Sequence, residues 1–394
     1  MSEQLENLFD FITAGEWGSN QGTPGGLDTG VIRSANFTKN HQFNTKEIVV
    51  RSIEERKRQR KLLCHGDILI EKSGGSPDQP VGRVLFYDLE GEHTCSNFIS
   101  ILRPSHQADP KFLYYSLCNL YERGVVKNYQ QQTTGIINLQ LGEYLRESIF
   151  LPPLPEQKKI AEILSGIDQE IIRIQQQIAS LEILRTAILE QSLAQLKDCP
   201  IHPLHEITKK VTVGIVSKPA DHYVSKGVPT LRSMNIKEGR IDYKDLRFIS
   251  EESNQFFKKS IIRKGDILTV RTGVPGTSAV APADIDGANC VDIIISTPAE
   301  GVDSHFLCLQ INSDRIKSKV LSGQGGLAQQ HFNIGEMRVL DILLPSLDAQ
   351  KEISSAVLSV SQCIASRCKQ RSKYEGVKSA VANDLLSGRK RVSV

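Results

Sequence analysis

Two stretches of this chain carry a hydrophobic period unlike the rest. Ile160, Leu164, Ile167, Ile171, Ile174, Ile178 and Leu181 fall at alternating spacings of four and three, and Leu184 and Ile188 continue the stripe. A sustained heptad seam predicts a long coiled-coil-like helix. Pro155 at its first position and Glu156 in its first turn supply the start signal. The pattern runs to about Leu196, a rod of roughly 60 Å at 1.5 Å per residue. The spacing returns in Ile353, Val357, Val360, Ile364, Arg367, Arg371, Tyr374, Lys378, Val381 and Leu385, with polar residues in the middle. Gly388 and the cations Arg389, Lys390 and Arg391 close this second helix at the negative end of its dipole.

Ahead of each long helix the pattern changes to short apolar runs bounded by Gly, Pro and Asp. These predict strands at Gly66 to Ile70, Val81 to Tyr87 and Phe98 to Leu102, and again at Ile267 to Val270 and Val291 to Ile295. Helices are expected over Pro110 to Arg123 and Ser304 to Leu321. The two halves are copies. Ile32-Arg33-Ser34-Ala35-Asn36-Phe37 returns as Leu231-Arg232-Ser233-Met234-Asn235-Ile236 at an offset of 199. Gly66-Asp67-Ile68-Leu69 returns as Gly265-Asp266-Ile267-Leu268 at the same offset. Lys72-Ser73-Gly74 matches Arg271-Thr272-Gly273, again at 199. The offset then steps down, to 194 for Gly82 with Gly276 and Phe112 with Phe306, and to 193 for Leu151-Pro152 with Leu344-Pro345. Coincidences would scatter; loop deletions step in one direction. The chain is therefore a tandem duplication of a domain with its connector.

The expected fold class is α+β. Two homologous globular domains, 1–154 and 198–346, alternate with long spacer helices at 155–197 and 347–388, and a basic tail occupies 389–394. Domain termini usually lie close together, so the end of the first helix and the start of the second should be neighbours. That makes the helices an antiparallel pair with the two domains at opposite ends. Such a rod is a ruler between two binding sites. Modules on one face of DNA must sit about 34–36 Å apart, or a multiple of it, and divergent domains imply different half-sites.

Composition narrows the function without deciding it. The formal charge is only +3, from 48 Lys and Arg against 45 Asp and Glu. Residues 1–197 hold 21 basic and 24 acidic groups, and residues 198–394 hold 27 and 21. Nucleic-acid contact must therefore use local patches. No run approaches 18 apolar residues, which excludes a membrane-spanning helix, and Met1 to Phe11 is no signal peptide. The eight Cys show no CxxC and no zinc spacing, so reduced thiols in a cytoplasm are expected.

The run Leu151-Pro152-Pro153-Leu154-Pro155-Glu156-Gln157-Lys158-Lys159-Ile160-Ala161 resembles the junction in specificity (S) subunits of type I restriction–modification enzymes. Asp384-Leu385-Leu386-Ser387-Gly388-Arg389-Lys390-Arg391-Val392 is similar to their closing motif, and Gly66-Asp67-Ile68-Leu69 to a strand start of their recognition domains. The second junction, Leu344-Pro345-Ser346-Leu347-Asp348-Ala349-Gln350-Lys351, departs from that pattern. The resemblance implies a chain in which each globular domain reads one half of a split, asymmetric site on double-stranded DNA. The helices would set the spacing and dock two modification subunits that methylate adenine with S-adenosylmethionine. A restriction motor–nuclease subunit would join them and use ATP with Mg. The chain itself would hold no cofactor and do no chemistry.

The motifs agree with that last point. The sequence has no GxxxxGK[ST] loop, no Asn/Asp-Pro-Pro-aromatic run and no G-x-S-x-G elbow. Its two ExK triplets, Glu55-Arg56-Lys57 and Glu156-Gln157-Lys158, lack a nuclease context, and no residues have metal-ligand spacing. Candidate DNA contacts fall in four places. Arg58 and Arg60 belong to a basic run that is either a phosphate contact or a solvated helix face. Lys72, Ser73, Gly74, Gly75, Ser76 and Arg83 form a Gly-rich loop able to approach a duplex, with Arg271, Thr272, Gly273 and Thr277 as its counterpart. Arg33, Ser34 and Asn36, with Arg232, Ser233 and Asn235, offer groups that fork onto guanine and adenine. Because they match between the repeats, they are equally suited to brace the fold. Gln131, Gln132 and Thr133, with Gln324 and Gln329 opposite, are plausible adenine readers or plain surface loop. Ile167, Ile171, Ile174, Ile178, Leu181, Ile188, Val360, Ile364, Tyr374, Val381 and Leu385 are expected to form the helix and partner interface. The rival reading is a two-headed coiled-coil scaffold that binds protein rather than DNA.

Overall fold

The computed structural model describes residues 2–38, 41–76, 79–133, 136–322 and 332–393. The chain divides into two compact units, one of 1–175 with 369–394 and one of 176–368. Each long helix is thus shared between them. The first runs Leu154–Gln195 and the second Leu347–Leu386.

The duplication is visible strand by strand. In the first unit a four-stranded antiparallel sheet has the order Phe9–Ala14, Ile99–Pro104, Ile68–Glu71, Val84–Phe86. In the second the same order is met as Thr208–Val213, Ile293–Pro298, Ile267–Val270, Ser278–Val280. A second sheet in each unit contains one parallel pair, Gly26–Ile32 with His93–Cys95 and Val228–Leu231 with Asn289–Cys290. Ile68, Leu69, Ile70, Ile267 and Leu268 are fully buried, as expected of strands covered on both faces. The backbones of the two sheets come so close that Gly15 and Gly214 admit no side chain. A Cβ there would lie 2.0 Å from the Cys95 carbonyl oxygen and 2.4 Å from that of Cys290. Gly66 and Gly265, at φ +93° and +87°, turn the chain into the central strands, a conformation other residues rarely adopt.

Each unit ties its globular part to its long helix in the same way. Asp109 and Asp303 cap the helices Pro110–Glu122 and Ser304–Asn312 by accepting from the Phe112 and Phe306 N–H groups. The backbone N–H of each capping Asp donates, at 2.8 Å in both cases, to a glutamine on the long helix, Gln157 or Gln350. Those glutamines are each 1% exposed, and their Nε2 groups donate back to Pro152 O and Pro345 O, both at 2.9 Å. Buried polar groups are thereby satisfied across the joint.

The expected single helix from Ser304 to Leu321 is two, Ser304–Asn312 and Asp314–Ser322. The break follows from Asn312. Its side chain accepts from Ser278 N–H at 3.0 Å and donates to Ser278 O at 2.9 Å, so it continues the sheet as a strand would. Ser313 then leaves the helix with extended backbone. The first seam also differs from expectation. Leu184 is 47% exposed, and half-buried Arg185 takes the inward position, where it pairs with Glu238 at 3.1 Å. In the second helix exposed Arg367 yields the seam to half-buried Cys368. The other seam residues face inward: Ile171, Ile174, Ile178 and Leu385 are buried, and Ile167, Leu181, Ile188, Val360, Ile364, Tyr374 and Val381 are half-buried. Within the first unit the helix segments are antiparallel, since Asp168 pairs with Lys378 at 2.7 Å and Glu156 with Arg391 at 2.6 Å. The Glu156 carboxylate also accepts from the Val392 N–H, and the Arg391 hydrogen bond holds its pKa below the usual value.

Candidate nucleic-acid interface

The first unit brings two of the sequence candidates onto one small sheet. Gln130–Thr133 and Ile136–Leu139 form a hairpin, and Ser73–Gly75 of the Gly-rich loop is its third strand. The Ser73 hydroxyl, itself buried, donates to Asn138 Oδ1 at 2.6 Å and pins the loop to the hairpin. Gly75 is required there, because a Cβ would sit 2.8 Å from Val81 N. Gly74 has φ +101° with open space around it, and Ser76 is exposed. Gln131 and Gln132 are exposed on the hairpin, and Gln140 Nε2 donates to Gln131 Oε1 at 3.3 Å. The backbone of Thr133 ends the first hairpin strand. Lys72 is half-buried beside this sheet. The hairpin presents primary-amide side chains, the groups that fork onto adenine, on a glycine-lined edge that another backbone can approach.

Other candidates are corrected by burial. Arg83 is internal: its side chain is 6% exposed and forks onto Glu71 through Nε and Nη2, both at 2.9 Å. Nη1 donates to Phe37 O at 2.7 Å, and the guanidinium stacks 5.6 Å from the Phe37 ring. Arg58, 10% exposed in its side chain, donates to Thr29 Oγ1 at 3.1 Å and pairs with Glu92. Neither guanidinium is free for phosphate. Arg60, by contrast, is exposed on the short helix Glu55–Lys61.

Asn36 and Asn235 are buried in their own turns rather than presented at the surface. They are 0% and 1% exposed and close the same 3-10 turn in each unit. Asn36 accepts from Arg33 N–H at 2.7 Å and donates to Asn44 O at 2.7 Å. Asn235 accepts from Arg232 N–H at 2.9 Å and donates to Asp242 O and Lys244 O at 2.9 and 2.8 Å. Arg33, Ser34, Arg232 and Ser233 are half-buried on these turns, with the Ser34 carbonyl accepting from Arg83 and the Arg232 guanidinium donating to Asp245 O at 2.7 Å. The repeated Arg-Ser-x-Asn signal is a bracing turn.

Arg271 is likewise internal, with its side chain 12% exposed and paired with Asp292 at 2.6 Å. Thr272 Oγ1 donates to the other Asp292 oxygen at 3.0 Å. Gly273 is exposed with φ +96°, and Thr277 is half-buried. Gln324 and Gln329 lie outside the described residues. Among the described residues no group of three or more His, Cys, Asp and Glu could hold a metal ion, and no helix is long and apolar enough to cross a membrane.

A family model for the type I restriction modification DNA specificity domain matches residues 11–182 and, a second time, residues 204–373. The chain belongs to this family. It is 24% identical over 386 residues to the type I restriction enzyme MjaVIII specificity subunit of Methanocaldococcus jannaschii, covering 93% of this chain and 86% of that protein. It is 28% identical over 254 residues to the EcoKI specificity subunit of Escherichia coli, covering 60% of this chain and 53% of that one. Its fold is similar to the S subunit of a type I restriction–modification system from M. genitalium, with a TM-score of 0.60 at 17% identity over 98% of this chain and 96% of that one. A chain of another type I R-M system matches with a TM-score of 0.56 at 14% identity, covering 99% and 98%.

The two specificity domains share the Arg-Ser-x-Asn turn and the Asp–Gln joint to the long helix, and differ in other braces and at their surfaces. Asp67 is forked by Arg103 through two 2.8 Å contacts, whereas the matching Asp266 accepts from Thr297 Oγ1 at 2.6 Å and from Arg263 N–H at 2.8 Å. Burial raises the Asp266 pKa above the usual carboxylate value. The short helix after the strand that pairs antiparallel with Gly26–Ile32, or with Val228–Leu231, reads Glu-Arg-Lys-Arg-Gln-Arg-Lys in the first domain, and Glu-Glu-Ser-Asn-Gln-Phe in the second. Divergence of this kind on a common frame is what two different reading surfaces require.

Proposed function

We propose that this chain is the non-catalytic specificity subunit of a type I restriction–modification complex, each domain reading one half of an asymmetric, bipartite site on double-stranded DNA. The observation that carries the reading is the pair of specificity domains built on one topology with different exposed side chains. In this reading residues 1–154 and 198–346 recognise DNA. The helices at 155–197 and 347–388 space the domains and dock two adenine-methylating modification subunits, and the basic tail 389–394 closes the chain. Restriction motor–nuclease subunits join that assembly in the cytoplasm. S-adenosylmethionine, ATP and Mg belong to the partners, and this chain holds none of them. Gln131, Gln132 and Ser76 with the Gly74–Gly75 edge contact the first half-site, aided by Lys72 and Arg60. The Gly273 loop with Thr277 approaches the second.

Binding of the assembled complex to a duplex carrying its site should weaken steeply with salt. The expected slope of log K against log[salt] is about −0.9 per phosphate contacted. Gln131→Ala with Gln132→Ala should relax one half-site and leave the other strict, since a bidentate base contact discriminates by about 1–3 kcal/mol. Binding insensitive to salt, or to both half-sites, refutes the reading in favour of a protein scaffold.

A further inference from the structure

In the second unit the short helix Glu251–Phe256 ends on the most exposed of the large hydrophobic side chains described, Phe256, at 77%. Its neighbour Phe257 is half-buried, packs on the cluster of Ile215, Val228 and Ile249, and meets the His222 ring edge-on at 4.7 Å. Phe256 stands against Phe257 at 4.9 Å with the rings nearly perpendicular. That contact fixes the outer ring's direction without burying it. Lys258 and Lys259 follow directly and are exposed. Lys210 reaches the same place, its ammonium donating to the Lys259 carbonyl at 2.5 Å. An oriented aromatic face is therefore followed directly by two exposed lysines, with the Lys210 ammonium held on the backbone of the second. From Lys209 to Lys264 the sequence holds 13 Lys and Arg against 6 Asp and Glu, although Glu251 and Glu252 open the same helix.

The first unit has a helix in the equivalent place. Both helices follow a strand paired antiparallel to the strand that enters the Arg-Ser-x-Asn turn, and both precede the Gly-Asp turn. At the offset of 199, Phe256 and Lys259 stand where Lys57 and Arg60 stand in the first unit. The turn residues Asn36 and Asn235 and the joint residues Gln157 and Gln350 match between the copies, whereas these exposed positions differ.

We propose that Phe256, flanked by Lys210, Lys258 and Lys259, is a DNA-contacting wedge of the second domain: its ring stacks on or between bases while the lysines hold the adjoining phosphates. The proposal rests on the DNA-specificity reading. Apolar wedges that part a base step are an established means of minor-groove contact, and an aromatic face accepts any base by stacking. Phosphate chemistry favours DNA over an apolar protein groove as the occupant, because the exposed Lys258 and Lys259 next to Phe256 in sequence would have to be desolvated against the latter.

The test uses the full chain assembled with its modification subunits and a duplex carrying the split site it methylates. Phe256→Ala should weaken specific binding roughly 5- to 150-fold, the range expected for loss of one stacked base. Phe256→Trp should retain it. Lys258→Ala with Lys259→Ala should flatten the salt slope by about 0.9 per phosphate lost. 2-Aminopurine placed stepwise through the second half-site should brighten at one step with wild type and not with Phe256→Ala. Unchanged affinity for Phe256→Ala overturns the proposal. So does a variant that binds DNA normally but fails to assemble with the modification subunits, which would make the patch a protein contact. A wild-type complex with no split-site preference is a separate outcome: it sinks the specificity reading, and the wedge with it.

Discussion

Removal of the Arg83 guanidinium separates a brace from a DNA contact. Arg83→Ala strips both oxygens of Glu71 of their fork and leaves that carboxylate, 2% exposed, without its cation. Breaking a buried pair in this way costs about 3–5 kcal/mol. A domain of about 200 residues shifts by about 2–4 °C per kcal/mol. The expected fall in the unfolding midpoint of the first unit is therefore about 6–20 °C, read by calorimetry on the full chain. Hydrogen exchange should speed up selectively in Ile68–Glu71 and Val84–Phe86, the strands the pair joins. Replacing both partners with apolar residues, Glu71→Leu with Arg83→Met, should recover most of the loss, since the penalty lies in the orphaned charge. Arg83→Lys should fall between, because an ammonium cannot fork. At temperatures where the variant stays folded, the salt slope of DNA binding should match wild type. An unchanged midpoint with a slope flattened by about 0.9 would refute this reasoning and make Arg83 a phosphate contact.

Three further outcomes follow from the same structure. Asp266→Asn should be neutral or stabilising near pH 7, because burial raises the Asp266 pKa and so disfavours its charged form. A raised carboxyl contributes stability at low pH that is lost as pH rises through its folded value, so the advantage of Asn should shrink on acidification. Asp67→Asn, which abandons the Arg103 fork, should destabilise at pH 7; equal effects at the two sites would contradict the asymmetry. Gln157→Leu and Gln350→Leu should each cost about 1–3 kcal/mol, the penalty of leaving buried partners unsatisfied, with increased exchange at the Asp109 or Asp303 amide. In Arg391→Ala the Glu156 carboxylate loses the partner that depresses its pKa. Stability from a depressed carboxyl is present above its unfolded value and lost as pH falls through the folded one. Wild type and variant should therefore differ most at neutral pH and converge in acid, as followed by thermal melts across the range.

What was legible in the sequence is what periodicity and self-comparison report. The 199-to-193 offsets found the duplication, and the heptads found both long helices to within a residue or two of Leu154–Gln195 and Leu347–Leu386. What stayed hidden depends on pairing between distant positions. Arg83 and Arg271 read as surface cations because their acids, Glu71 and Asp292, are 12 and 21 residues away. Asn36 and Asn235 offered the chemistry of an adenine reader, yet each is consumed by its own turn. Their identity between copies was the signal, since a residue kept in both halves suits a shared brace. The helix break at Ser313 was invisible because Asn312 finds its partner at Ser278, 34 residues upstream. Leu184 looked like a seam residue by hydrophobicity alone, whereas Arg185 holds the inward phase through Glu238. The Gln157 and Gln350 ties lay within the quoted junctions, but neither period nor charge marks a buried amide. Phe256 did not stand out because the Phe256-Phe257 pair does not show in sequence which ring is half-buried and which is exposed.

In the proposed function, two divergent domains on one chain specify a two-part DNA site. Modified-base sequencing of the source genome, with and without this gene, tests it most directly. Deletion should abolish N6-methyladenine at one split, asymmetric motif and leave all other modified motifs in place. An unchanged methylation map, with the modification subunit shown to be expressed, would contradict it.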